Sequence, residues 1–428
     1  MKEYIKDLKT FLILWSTQSL SQLGSAMTGF ALTLWLYEKT GSALQTALLA
    51  VCSYAPYVVM SIFAGALSDR WNRKRVMLVC DTLAACCSVF VLALLKADML
   101  SPVHLYLLNA FTGLMNTVQQ PAGDVAMTVI TPKKYYQKTS GMRSFSASLV
   151  TILNPVFATA LFAFGGMDIV IAVDLITFGI AFLALLFWVK IPAAGRGEGE
   201  KKESFLTTVK GGLVCLRENE LVLMLIFFLA GVNFVASAFD AVLPALILPR
   251  AAGGEKTLGV VTSCAGIAML AGSLIVTALP APKNRIRVIY LTMLFSLGTE
   301  NFLLAFVENP ALWCVGQIIG WLLVPVMNAN LDVIVRTTIP VDMQGRVYSC
   351  RNSLQFFTIP LGLSAGGFMV DLICEPMMAQ APEQGMLTGL FGTGKGSGAA
   401  MMMFLLGVLG VLICLVFGRI LRKYTYTD

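Results

Sequence analysis

Carboxylates stand inside long apolar runs of this chain at Asp124, Asp174, Asp240, Glu300 and Asp332. A charge at bilayer depth costs roughly 2.5 to 3.5 kcal/mol on insertion scales, so each needs an ion-pair partner, a proton or a cation to hold. Asp240 has no basic residue near it in sequence and is the first candidate for a proton or cationic-substrate site, the alternative being a place in water near a helix end. Gln18, Gln22, Asn109, Asn116, Asn233, Gln317 and Asn328 add neutral polar points along the same runs. They can line a cavity or tie one helix to another by hydrogen bonds. Asp124 and Arg143 lie nearly equidistant from a turn at 132–134, so an antiparallel hairpin brings them to similar depth as a local ion pair. Asp332 and Arg351 repeat that relation.

Other chemistries find little support. The chain has one histidine, His104, and neither an HExxH motif nor a Ser/His arrangement for hydrolysis. Its ten cysteines are scattered, mostly within apolar runs, with no CxxC, and are expected as small packing residues without a disulfide or metal role. The stretch from Gly389 to Lys395 imitates a phosphate loop until Gly396 takes the place of the required Ser or Thr. No enzyme activity, cofactor or metal is therefore expected.

The elements that position these residues are membrane spans. With 57% apolar and 13% charged residues over 428, and a mean hydropathy of +0.78, the chain has too little polar surface to coat a soluble globule. About 20 apolar residues cross the hydrocarbon. On that rule twelve runs are expected, at 11–37, 44–67, 76–95, 103–130, 144–165, 168–189, 221–249, 257–279, 287–306, 311–335, 347–373 and 399–418. The run from Phe11 is long enough to span, so a cleaved leader is not expected. Lysine and arginine divide 26 to 5 between the two sides of this threading, which puts both termini in the cytoplasm and excludes a nucleic-acid surface as the source of the +7 charge. Residues 372–398 are then expected as an external loop.

The chain also repeats itself. Asp124, Pro132 and Arg143 recur as Asp332, Pro340 and Arg351, each offset by 208 residues. Two parallel six-helix bundles follow, at 1–190 and 221–428, with a cytoplasmic linker at 191–220. Within the linker Ser204 can cap a helix whose Phe205, Val209, Leu213 and Leu216 share one face, resting on the inner leaflet. A flexible linker is the alternative.

Between the second and third runs lies a charged hairpin, Gly65-Ala-Leu67-Ser68-Asp69-Arg70-Trp-Asn72-Arg73-Lys74-Arg75, followed by Leu78. It resembles the signature of the major facilitator superfamily, departing at Ser68 and at Asn72, where asparagine is expected to supply the left-handed backbone of the family's glycine. The opening Trp15-x-x-Gln18-x-x-Ser21-Gln22-Leu23-Gly24, with Thr40-Gly41-Ser42-Ala43, resembles the macrolide-efflux and enterobactin-exporter branch. The antiporter signature on the fifth run survives only as Asn154-Pro155 with Ala158 and Thr159, and the fourth run has only Asn109 polar between Leu105 and Gly113.

The resemblance implies an all-α integral membrane protein of two pseudo-symmetric six-helix bundles. It implies a monomeric secondary transporter of the inner or plasma membrane that exports lipophilic or amphipathic small molecules through the bilayer by alternating access, with protons as coupling ion. Export of a siderophore or metabolite is the alternative, and a non-transporting receptor or assembly partner of the same fold is an alternative of another class. In the family picture the seventh run faces a central cavity, which favours Asp240, whereas Asp174 and Glu300 fall on outer, supporting helices. A gating latch is implied at Gly65, Asp69, Arg70, Arg73, Asp124, Gln344 and Gly345, with Arg73 pairing to Asp124 and Asp69 facing the free N–H groups at Gln344-Gly345. Asp69→Asn is expected to impair transport while membrane expression stays near wild type. Wild-type transport rates in that variant would remove the latch.

Overall fold

The computed structural model describes residues 2–68, 72–132, 135–191, 214–278, 282–339, 347, 351, 354–382 and 384–424. Among the described residues every regular element is helical, and eight stretches are long and apolar enough to cross a bilayer. The protein is a multi-pass membrane protein of all-α class. Of the twelve expected runs, the one at 311–335 is divided, and the break expected between 165 and 168 falls at a glycine corner. The chain forms two compact units, Met1–Lys39 with Leu49–Glu200, and Thr40–Leu48 with Lys201–Asp428.

The N-terminal unit is built from α1 (Lys2–Thr40), α2 (Ala43–Ser68), α3 (Arg73–Lys96), α4 (Pro102–Ile130) and α5 (Tyr136–Leu183), the last running into a π-helical turn at Ala184–Trp188. The runs expected at 144–165 and 168–189 both lie in α5, which turns a corner at Gly165 (φ −153°, ψ 23°) and Gly166 (φ 65°, ψ −164°). Only glycine takes that positive φ without steric cost. Asn72 corrects an expectation. Its backbone is extended (φ −68°, ψ 113°), and its side chain caps α3 by accepting from Arg75 N at 3.2 Å. The hairpin thus enters the helix through an N-cap rather than a left-handed residue. Lys74 Nζ donates to the Leu186 and Val189 carbonyls at 3.0 and 2.8 Å, satisfying the end of the α5 chain where helix carbonyls lack partners.

Two apolar clusters hold this unit. One gathers Leu14, Val76, Met77, Val118, Ala122, Leu185 and Val189. The other gathers Met27, Ala31, Leu36, Val91, Leu105, Val170 and Ile171. On α1, α3 and α4 the two sets are separated along the axis, with polar side chains between them.

The C-terminal unit contains α6 (Glu220–Ile247), α7 (Glu255–Ala278), α8 (Arg285–Phe306), α9 (Pro310–Leu322), α10 (Val324–Thr338) and α11 (Thr358–Met369). A π-helical turn at Val370–Cys374 follows, then α12 (Glu375–Ala379), α13 (Met386–Phe391) and α14 (Ser397–Leu421). The run expected at 311–335 is divided at Leu323, just before Pro325, whose ring cannot continue the ladder. Gly362 and Gly366 let α11 lie directly on the α6 backbone, where a Cβ would strike the Phe234 and Ala238 carbonyls. Residues 372–398 are not a plain loop. Helix continues to Ala379 and resumes at Met386, and the pseudo phosphate loop is the end of α13 and the glycine turn after it. Glu375 Oε1 accepts from Gly396 N at 2.9 Å and Ala399 N at 3.3 Å, capping α14. Arg250 ties the same corner, reaching Glu308 at 3.2 Å and the Phe391 carbonyl at 2.8 Å. Burial pushes its guanidinium down from the ordinary value, and Glu308 and Glu375 oppose that. Of the expected linker helix, Ser204 to Leu213 lies outside the described residues, and Leu216 is buried.

The segment Thr40–Leu48 groups with this second unit. Asp371 holds it there, accepting from Ala43 N at 3.0 Å, from Leu44 N at 2.9 Å and from the Ser42 hydroxyl. These N–H groups are first-turn donors of α2, which no helical carbonyl can satisfy. Asp371→Ala is expected to lower the thermal midpoint in detergent by an amount worth about 1 kcal/mol, the usual cost of a lost cap, with Asp371→Asn falling between it and wild type. An unchanged midpoint for the alanine variant would show the cap to be idle.

Candidate functional site

Between its two apolar clusters the N-terminal unit encloses a cavity of about 580 Å³. Its walls take Gln18, Gln22, Ser25 and Thr28 from α1, Asp81 and Ser88 from α3, Asn109, Asn116 and Gln119 from α4, and Asp174 from α5. Helical spacing explains the convergence. Positions 18, 22 and 25 recur every three or four residues, so they share one face of α1, as 109, 116 and 119 do on α4. All four N-terminal amides singled out from the sequence, Gln18, Gln22, Asn109 and Asn116, therefore come together here.

Asp174 is the most fully supported group in the site. It is buried, and three hydroxyls donate to its carboxylate: Ser25 at 2.9 Å, Thr28 at 3.1 Å and Ser88 at 3.0 Å. Gly24 allows this, because a Cβ there would collide with the Thr177 hydroxyl and press on Asp174 itself. The family picture places Asp174 on a supporting helix. In the structure it lines the cavity and joins α1, α3 and α5.

Asp81 escaped the sequence reasoning. It is half-buried on α3, where Gln18 Nε2 donates to one oxygen at 3.3 Å and Gln119 Nε2 donates to the other. The signal was available, since Asp81 is an acid inside an apolar run, but it follows the basic hairpin closely enough to pass for part of it. Two carboxylates with amide and hydroxyl donors on one wall make a surface that can accept hydrogen bonds from a ligand or hold a cation.

The remaining candidates are dispersed. Arg143 is exposed and lines the cavity. Asp124 lies on α4 with a side chain outside the described ones, and Asp69, Arg70, Gln344 and Gly345 lie outside the described residues altogether, while Gly65 is in the last turn of α2 and Arg73 begins α3. In the C-terminal unit Arg351 Nη1 stands 3.3 Å from Asp332 Oδ1. Asn233 Nδ2 donates to the Gln355 carbonyl at 3.3 Å, a helix-to-helix tie. Gln317 is buried on α9, and Asn328 is exposed on α10. Asp240 keeps an open surface on α6 although protein crowds its carboxyl, as for a group in a recess, and it lies within electrostatic reach of Glu300. A larger hollow of about 910 Å³ on α8 is walled by Leu291, Phe295, Phe302 and Phe306 and is an apolar, lipid-type surface rather than a polar site. Among the described residues no cluster of three metal-ligating side chains occurs.

The sequence profile of the Major Facilitator Superfamily matches residues 14–363. Macrolide efflux protein A of Streptococcus pyogenes is 24% identical over 376 residues, 87% of this chain and 92% of that protein. The multidrug efflux pump Tap of Mycolicibacterium fortuitum is 25% identical over 358 residues, 81% and 86% of the two chains. Among solved structures, the nucleoside transporter NupG superposes with a TM-score of 0.68 at 13% identity, covering 97% of this chain and 100% of that one. A bacterial homologue of the iron transporter ferroportin in an inward-facing state gives 0.70 at 14% identity, covering 96% and 98%.

Asp174→Ala would strip three hydroxyls of their acceptor, of which that of Thr28 is buried. A buried group left without a partner costs about 1 to 3 kcal/mol, so the variant is expected to be recovered folded in lower yield by size-exclusion in detergent, with Asp174→Asn milder. Equal yields for all three proteins would mean that the hydroxyls find other partners.

Proposed function

We propose, from the premise that this chain belongs to the major facilitator superfamily, that it exports amphipathic, neutral or cationic small molecules across the plasma membrane, driven by the proton gradient. That it is a transporter of small molecules and not an enzyme follows from the family. Direction, cargo class, coupling ion, a monomeric working unit and cytoplasmic termini are our reading. The observation that carries it is the polar layer around Asp81 and Asp174, set between apolar clusters in a cavity of about 580 Å³.

A hollow of that size suits one drug-sized ligand. Apolar walls such as Leu32, Val91, Leu108 and Met127 take the body of an amphiphile. The carboxylates and amides take its polar end, and their negative charge disfavours a strongly anionic cargo such as a siderophore. The efflux names of the streptococcal and mycobacterial relatives support the direction and the amphipathic class. Asp81 is the more accessible of the two acids and is held by amides alone, so it is free to exchange an amide contact for a ligand's ammonium or for a proton. The cluster around Gln18 and Asp81 would then serve as the cargo-sensing end, while Asp174 keeps the three helices in register.

The test is accumulation of erythromycin and ethidium in cells with and without the protein, with and without an uncoupler. Lower accumulation of at least one compound, abolished by the uncoupler, is the expected result. Asp81→Asn should weaken export of the cationic ethidium at least fivefold at unchanged membrane expression. Identical accumulation with and without the protein for both compounds would overturn the assignment to this cargo class.

A further inference from the structure

We infer that Glu300 is a proton-binding site in the C-terminal unit, exchanging with water by way of Asp240. The inference rests on the reading of proton-driven export, and adds to it the residue that holds the proton.

Glu300 lies in the C-terminal half of α8 and is only 5% exposed. Its carboxyl is seated over Gly320 of α9, where even a methyl group would coincide with it. The α9 backbone is held at that point by Ser296, whose hydroxyl donates to the Gly320 carbonyl at 2.6 Å. The Trp321 indole lies against the carboxyl and offers its single N–H. Oxygen Oε1 is buried and has no hydrogen-bond partner among the described residues. A space has therefore been made for a carboxyl group, and one of its oxygens has been left without a donor.

An ionised carboxylate in that position would be paired with nothing. Burying an unpaired charge is so costly that such groups neutralise instead. The charged or titratable group that bears on Glu300 is another acid, Asp240 on α6. From the elements packed against α8, Trp321 of α9 lies beside the carboxyl, Phe404 of α14 meets Phe302, Phe391 of α13 meets Phe306, and Gly407 and Gly410 let α14 approach. Arg285 answers to Asn330 of α10 at the far end of the helix and Arg422 to Tyr290, so neither neutralises Glu300. A proton does so without a counter-ion, and turns the orphaned oxygen into a group that can donate.

Asp240 supplies the route. It has an open surface in its recess, whereas Glu300 has almost none, and the two interact as like charges. Ionisation of one disfavours ionisation of the other, so a proton leaving Glu300 is most stable when Asp240 has taken one up. No co-reactant is needed, since the proton moves between carboxyl oxygens and water.

Two measurements test this on the full-length protein. Infrared absorption of the purified protein at neutral pH should show a protonated-carboxyl band that is lost in Glu300→Gln and kept in Glu300→Asp. In Asp240→Asn the pH at which that band disappears should fall, because the like-charge neighbour is gone. A band of equal intensity in wild type and Glu300→Gln overturns the site. In the erythromycin and ethidium export assay, Glu300→Gln should reduce the pH dependence of export at least tenfold, with Glu300→Asp retaining it. Uncoupler-sensitive wild-type export with unchanged pH dependence in Glu300→Gln overturns the inference and leaves proton-driven export standing. Wild-type export indifferent to the uncoupler overturns proton-driven export, and the infrared band then decides by itself whether Glu300 holds a proton.

Discussion

Within the hydrocarbon there is no bulk water to satisfy a polar group, so each buried donor, acceptor and charge must find its partner in the protein. The rest of this structure can be read as answers to that constraint. Backbone groups are satisfied by helices throughout the described residues. Where helices end, side chains take over, with Asn72 capping α3, Lys74 closing the α5 chain, Glu375 capping α14 and Asp371 reaching the first turn of α2. Among the described residues only a few buried side-chain atoms remain unanswered, and Glu300 Oε1 is one of them.

Asp174 and Glu300 show two solutions to one problem. Both are acids on helices that the family picture assigns to support, and both are buried to a similar degree. Three hydroxyl donors meet the carboxyl of Asp174. Glu300 has one indole beside it and a second acid within electrostatic reach. The first arrangement resembles a structural knot. The second leaves one carboxyl oxygen unanswered, which is the feature the proposed proton site rests on.

Much of the fold was legible because the bilayer forces a simple code. Apolar length pointed to the class, and the hairpin at Gly65 to Arg75 pointed to the superfamily whose profile matches residues 14–363. Helix ends were harder to see. The break expected between 165 and 168 is where Gly165-Gly166 turns the chain, but the helix through Val370–Ala379 overruns an expected loop, because short-range hydrogen bonding rather than hydropathy decides where a helix stops. The site was partly legible. Gln18, Gln22, Asn109 and Asn116 stand out by their polarity at helical spacing, yet Asp81 is hidden by its closeness to a basic hairpin. Asp174 and Glu300 are easily set aside when helix number, rather than the neighbours a fold supplies, is used to judge them.

Small residues complete the logic, since a carboxyl can enter a bundle only where something else withdraws. Gly24 withdraws for Asp174 and Thr177, and Gly320 withdraws for Glu300. In both cases the glycine sits on the helix opposite the acid, in α1 facing α5 and in α9 facing α8. Such a glycine weakens its own helix by about 0.5 to 1 kcal/mol relative to alanine. That cost is accepted at two acids, one in each unit, whereas Asp332 in the middle of α10 needs no such space because its side chain is half exposed and meets Arg351 directly. The distinction separates an acid met by an arginine from two acids given room by a glycine on the facing helix.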